Sequence, residues 1–125
     1  MDFLGLELNS RIRGALSEAV DAGKLPHAVV LEGGSESDRG KLARLLGAAL
    51  VCEAAVGKPC RVCPACIKSF AGSDTEVTEK RLEERLSHPD IAELRKDPKR
   101  VSFGIDPIRT LKSETYIVPN EAAAK

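Results

Sequence analysis

The chain has 125 residues, 42% of them apolar, and its 19 basic and 19 acidic residues cancel to a formal charge of zero. That length suffices for one domain around one core, and neutrality argues against a broad basic face for nucleic acid. With aromatics at only 3%, the core has to be built of Leu, Val, Ile and Ala, and platforms for stacking single-stranded bases are scarce.

From Leu8 to Val20 the apolar residues Leu8, Ile12, Ala15, Leu16, Ala19 and Val20 recur at intervals of three and four, which predicts an amphipathic helix. Asn9 or Ser10 supplies its N-cap and Gly23 its stop. After Pro26, the run Ala28-Val29-Val30-Leu31 before Gly33-Gly34 reads as a buried strand entering a turn. A second helix follows, with Leu42, Leu45, Leu46, Ala49 and Leu50 on one face. Residues 28–51 thus spell strand, glycine-containing loop and helix, the opening of an α/β nucleotide-binding domain.

Residues 60–72 predict a short helical stretch with Ile67 and Phe70 on one side, and charged residues dominate 74–87, a solvated helical insertion. Ile91 to Leu94 suggests a short strand. Asp106-Pro107 opens a last helix carrying Ile108 and Leu111, with Asp as cap and Pro in first position. The closing Glu121-Ala-Ala-Ala-Lys125 favours helix. His27 and His88 read as structural or surface histidines. No apolar run approaches a membrane span, and MDFLGLELNSR lacks the basic-then-apolar order of a signal peptide, so a cytoplasmic protein is expected.

All four cysteines, Cys52, Cys60, Cys63 and Cys66, fall within fifteen positions, with two successive Cys-x2-Cys steps. Each such step lets two thiolates reach one ion at about 2.3 Å, and four thiolates complete a tetrahedron with no open position. The spacing favours structural zinc over an iron–sulfur cluster, which lacks its Cys-Pro ending here, and over a redox dithiol at Cys60 and Cys63.

The loop before the second helix falls short of a phosphate loop. Gly40 and Lys41 stand where a Gly-Lys pair would hold phosphate, but five residues separate Gly34 from Gly40 instead of four, and Leu42 replaces the magnesium-binding hydroxyl. Glu36 and Asp38 bring negative charge to where a triphosphate would lie. Lys41, Gly40 and Gly34 form at most a vestigial site, with Arg39 and Arg44 read as solvated charge. No Walker-B strand or arginine finger is found in 84–125, so ATP binding and hydrolysis by this chain are not expected.

Leu25-Pro26-His27-Ala28-Val29-Val30-Leu31, Leu42-Ala43-Arg44-Leu45-Leu46, the four cysteines, His88-Pro89-Asp90-Ile91 and Gly104-Ile105-Asp106-Pro107-Ile108-Arg109 together resemble the N-terminal domain of bacterial DNA polymerase III clamp-loader subunits, gamma/tau and delta-prime. The resemblance implies a partial P-loop/AAA+-type three-layer α/β domain, mostly helical over this length, with a zinc module inserted at 52–66. The decayed loop is similar to the delta-prime branch, whose role is non-catalytic: to help the loader place the sliding clamp on primed DNA, beside delta and gamma/tau. A gamma/tau-type ATPase with a distorted loop, or a stand-alone zinc interaction module, are the alternatives. The Cys52 to Cys60 gap is one residue shorter than the family's, and the insertion at 74–87 departs from it. The chain also stops before the family's Walker-B strand, remaining sheet, lid and collar. It is therefore expected to be an N-terminal fragment that self-associates through open edges.

Overall fold

The computed structural model describes residues 1–70, 88–94, 99, 101, 102 and 104–122. Four helices carry it: α1 (Ser10–Asp21), α2 (Glu36–Val51), α3 (Pro64–Phe70) and α4 (Ile105–Glu114). None is long and apolar enough to cross a membrane.

Helix α1 begins where expected. The Asn9 side chain accepts the Arg11 N–H, occupying a donor that no earlier turn can satisfy. It stops at Ala22, whose N–H closes on Glu18, and Gly23 turns the chain at φ +63°, a conformation open to glycine without strain. Helix α2 is capped by Ser35, which accepts the Asp38 N–H. Its sixteen residues form the centre of the molecule: Leu42, Leu45, Leu46, Ala48, Ala49 and Val51 are buried. Leu50, expected on that face, is half exposed instead, and the inner stripe runs through Ala48 and Val51. Helix α3 packs chiefly on α2, while α1 touches it more lightly.

The core joins Val20 of α1 and Leu42, Leu45, Leu46 and Ala49 of α2 to Phe3 and Leu6 of the N-terminal segment, with Leu8, Leu16, Leu25, Leu31 and Phe70 against its edge. Ile12 and Ala15 of the expected α1 stripe lie outside it. The N-terminal segment reaches the core through a turn at Leu4 and Gly5, both at positive φ, in which the Leu6 N–H donates to the Phe3 carbonyl at 3.0 Å.

The expected buried strand at 28–31 is not formed. Ala28, Val29 and Val30 are exposed, Val30 at 91%, and only Leu31 turns inward. Residues 91–94 are likewise irregular, and no strand occurs among the described residues. A strand needs a neighbour to receive its ladder hydrogen bonds, and no described segment pairs with either run. The described part is therefore helical rather than α/β. In α3, Phe70 packs on the core but Ile67 faces solvent, so the two do not share a side. Helix α4 starts two residues earlier than expected, with Gly104 at the cap position and no side-chain cap; Asp106 and Pro107 occupy its first turn. Both residue types suit a first turn, Asp through the helix dipole and Pro because N–H groups there have no intrahelical partner. Glu121 and Ala122 sit in bends rather than helix, and the charged insertion expected at 74–87 lies outside the described residues.

Candidate metal centre

Packing of α2 against α3 brings the four cysteines together. Cys52 stands at the C-cap of α2 in extended conformation, Cys60 and Cys63 lie in the following loop, and Cys66 is one turn into α3. Their sulfur atoms all lie within 4.8 Å of one another. A tetrahedral zinc site with Zn–S bonds of about 2.3 Å requires sulfur separations of about 3.8 Å, so small side-chain adjustments suffice to close it.

The local backbone is arranged to serve sulfur as acceptor. Cys52 Sγ receives the N–H of Ala54 and of Cys60, Cys60 Sγ that of Cys63, and Cys63 Sγ that of Cys66, each at 3.4 Å. The last bond doubles as a helix cap. The Cys63 carbonyl accepts the Ile67 N–H, and Pro64 holds the first helical position, where its missing donor costs nothing. At Cys60 the N–H groups aimed at sulfur favour thiolate over thiol.

Burial acts in the opposite direction on the inner member. Cys66 is 0% exposed, its Sγ 3.9 Å from the Ala48 carbonyl, and burial pushes its thiol up to about 12. The N–H groups of Val62 and Cys63 instead pull Cys60 down to about 6. A divalent cation resolves the conflict, because it compensates the buried charge that desolvation alone forbids. The donor set, its convergence and its N–H environment fit a structural metal held by four thiolates. The turn carrying Cys60 to Cys63 has Arg61 at φ +63°, and the Arg61 guanidinium is held by Asp2 at 2.9 Å, which ties this loop to the N-terminal segment.

The glycine loop is closed on itself. Gly33 and Gly34 are both at positive φ, and Arg39 Nη1 donates to both their carbonyls at 2.9 Å. Ser35 Oγ donates to the Asp38 carboxylate at 2.7 Å while accepting the Asp38 N–H. Lys41 is exposed and Gly40 half-buried, whereas Leu42 is a core residue at 6% exposure. Arg39 and Arg44, read from the sequence as solvated charge, are both engaged: Arg39 in this loop, and Arg44 with Glu93 at 3.3 Å.

A second polar centre went unnoticed in the sequence. Asp90 is buried, and its carboxylate gathers the C-terminal segment: Oδ1 accepts from the Asn120 N–H at 2.7 Å and from its side-chain amide, and Oδ2 from the Glu121 and Ala122 N–H groups at 2.8 Å. Lys68 Nζ adds an ion pair to Glu121 at 2.6 Å. His88 is fully buried beside it, its Nδ1 accepting the Asp90 N–H, while Nε2 has no hydrogen-bond partner among the described residues; His27 is exposed. Burial raises the Asp90 pKa, but the N–H groups of Asn120, Glu121 and Ala122 outweigh it and hold the carboxyl well below its usual range. The contact therefore stabilises the fold above the unfolded carboxyl pKa of about 3.9 and is lost as pH falls below that value through the depressed folded one. Asp90→Asn turns an amide donor toward donors, and amide hydrogen exchange at 120–122 should rise sharply while that in α2 stays slow. Unchanged protection at 120–122 would refute this role.

Comparison with curated proteins and with solved structures finds no match to this chain. The family described as "DNA polymerase III, delta subunit" does match, over residues 8–125, all but the first seven residues of the sequence. The chain belongs to that family and is a clamp-loader-type subunit of DNA polymerase III.

Proposed function

We propose that the chain acts as a non-catalytic, delta-prime-type member of the clamp loader, in which Cys52, Cys60, Cys63 and Cys66 hold one structural zinc ion. Its role is to serve as a fixed element against delta and gamma/tau while the assembly opens the sliding clamp and places it on primed DNA. The domain it belongs to is of the P-loop/AAA+ type, with the region around Gly34, Gly40 and Lys41 a relic of the phosphate site.

The observation that carries the non-catalytic reading is the state of the loop before α2. Its carbonyls are taken by Arg39, Ser35 occupies one N–H of the helix terminus, and Glu36 and Asp38 place negative charge in the first turn. A phosphate approaching that terminus meets negative charge where a working site offers free N–H groups. The position that would coordinate magnesium belongs to Leu42, whose side chain is committed to the core. Zinc supplies no reaction chemistry in a closed four-thiolate site; it fixes the loop between α2 and α3.

Calorimetric titration of the purified, zinc-loaded chain with Mg-ATP tests this. No binding is expected up to about 1 mM nucleotide, an affinity limit of about 4 kcal/mol. Magnesium-dependent binding that Lys41→Ala abolishes would move the chain to the gamma/tau-type ATPase reading.

A further inference from the structure

The four sulfurs are not equivalent toward water. Cys52, at the C-cap of α2, and Cys66, within α3 packed on α2, are 6% and 0% exposed, whereas Cys60 and Cys63 are half-buried in the connecting loop. The outer two are also neighbours in one Cys-x2-Cys turn, with the Cys63 N–H on Cys60 Sγ. A bond between them closes within that turn and leaves the buried face of α2 and Cys66 in place, drawing only on the Cys63 sulfur that caps the start of α3.

We infer that the metal centre is a redox-sensitive switch, in which a small aqueous peroxide converts Cys60 and Cys63 to a disulfide and expels the metal. The inference rests on the zinc reading above. One outer thiolate attacks a peroxide oxygen; the O–O bond breaks, hydroxide leaves and takes up a proton, and a sulfenic acid remains. The second outer thiolate attacks that sulfur, the S–S bond forms, and a second hydroxide leaves as water. Two thiolates lose two electrons, one peroxide gains them, and two protons are consumed. The ion, left with Cys52 and Cys66 alone, dissociates.

The consequence is local and directional. From Glu53 to Lys58 no residue is buried and Val56 is exposed, so this part of the loop depends on the metal for its order. Arg61 lies inside the Cys60–Cys63 turn and is the residue held by Asp2. Oxidation therefore loosens the link between this loop and the N-terminal segment, while the Cys66 side of the module stays packed on α2.

The test uses the zinc-loaded chain with excess hydrogen peroxide. Released metal is followed by 4-(2-pyridylazo)resorcinol absorbance, and the disulfides by peptide mapping under non-reducing conditions. Release of about one zinc per chain, a Cys60–Cys63 disulfide with Cys52 and Cys66 still alkylatable, and full reloading after dithiothreitol and added zinc are expected. Retention of zinc, a first disulfide that includes Cys52 or Cys66, or direct passage to sulfinic acid would each overturn the inference. Metal content before peroxide separates the two readings: a purified chain without zinc removes both, whereas a loaded chain that ignores peroxide removes only this one.

Discussion

Cys66→Ser is expected to lower the zinc content of the purified chain from about one ion to none and to unfold the region from Cys52 to Phe70. Serine keeps the shape but not the softness or the acidity of the ligand, and three thiolates remain around an incomplete tetrahedron. Structural zinc contributes an apparent binding free energy of about 10–16 kcal/mol, as large as the whole net stability of a typical domain, about 5–15 kcal/mol. Cys66 is also the most deeply placed of the four, so its loss strikes the packing of α3 on α2 together with the metal. Cys63→Ser, at the half-buried edge, should weaken metal affinity with a smaller effect on that packing. Inductively coupled plasma mass spectrometry gives the metal content, and amide hydrogen exchange over 52–70 gives the order. Chelation of the native chain should reproduce the Cys66→Ser exchange pattern. A Cys66→Ser chain that keeps one zinc and native protection would remove the structural role assigned to this residue.

Phe3→Ala should be the most damaging single change outside the metal centre. The Phe3 ring is 2% exposed among Leu6, Val20 and the inner face of α2, and Arg13 lies over it with its guanidinium carbon 5.2 Å from the ring centre. Truncating a buried Phe to Ala costs about 3–5 kcal/mol, through lost transfer free energy and the cavity left behind. The same Arg13 donates to the Leu6 carbonyl at 2.9 Å, so the N-terminal turn, α1 and the ring form one unit. Arg13→Ala should lose roughly 0.5–1 kcal/mol of cation–π attraction, together with that hydrogen bond. In urea, with an m-value of about 2 kcal/mol/M, Phe3→Ala should lower the unfolding midpoint by about 1.5–2.5 M. A midpoint unchanged within error would mean that the segment before α1 contributes nothing to the core.

What was legible in the sequence followed the range of the interactions. The four cysteines could be singled out as a set because Cys-x2-Cys spacing is set by a few consecutive bonds, and the structure brings those same residues together. Helices α1 and α2 were legible from their period, and Asn9 and Gly23 from cap and turn chemistry that acts within one turn. Phe3 and Leu6 escaped because a short irregular segment has no period; only its contact with α2 makes it core. Asp90 escaped for a related reason, its partners being thirty and more positions away. The run at 28–31 misled because β-branched composition describes a preference that is realised only beside another strand. Leu50 and Ile67 show the limit of face assignment: a helix pattern gives a stripe, but which edge of it is covered depends on the neighbour.

The grip of Asp90 on residues 120–122 has an architectural corollary. Helix α4 lies between these two points and contributes no buried residue, so it sits on the bow of a padlock, a stretch fastened at both ends whose helix stays outside the core. Doubling the length of a flexible loop adds only about 0.6 kcal/mol to the cost of closing it. Insertions or deletions between Asp90 and Asn120 should therefore leave the convergence of the four cysteines untouched, so this stretch can change length without disturbing the module between α2 and α3.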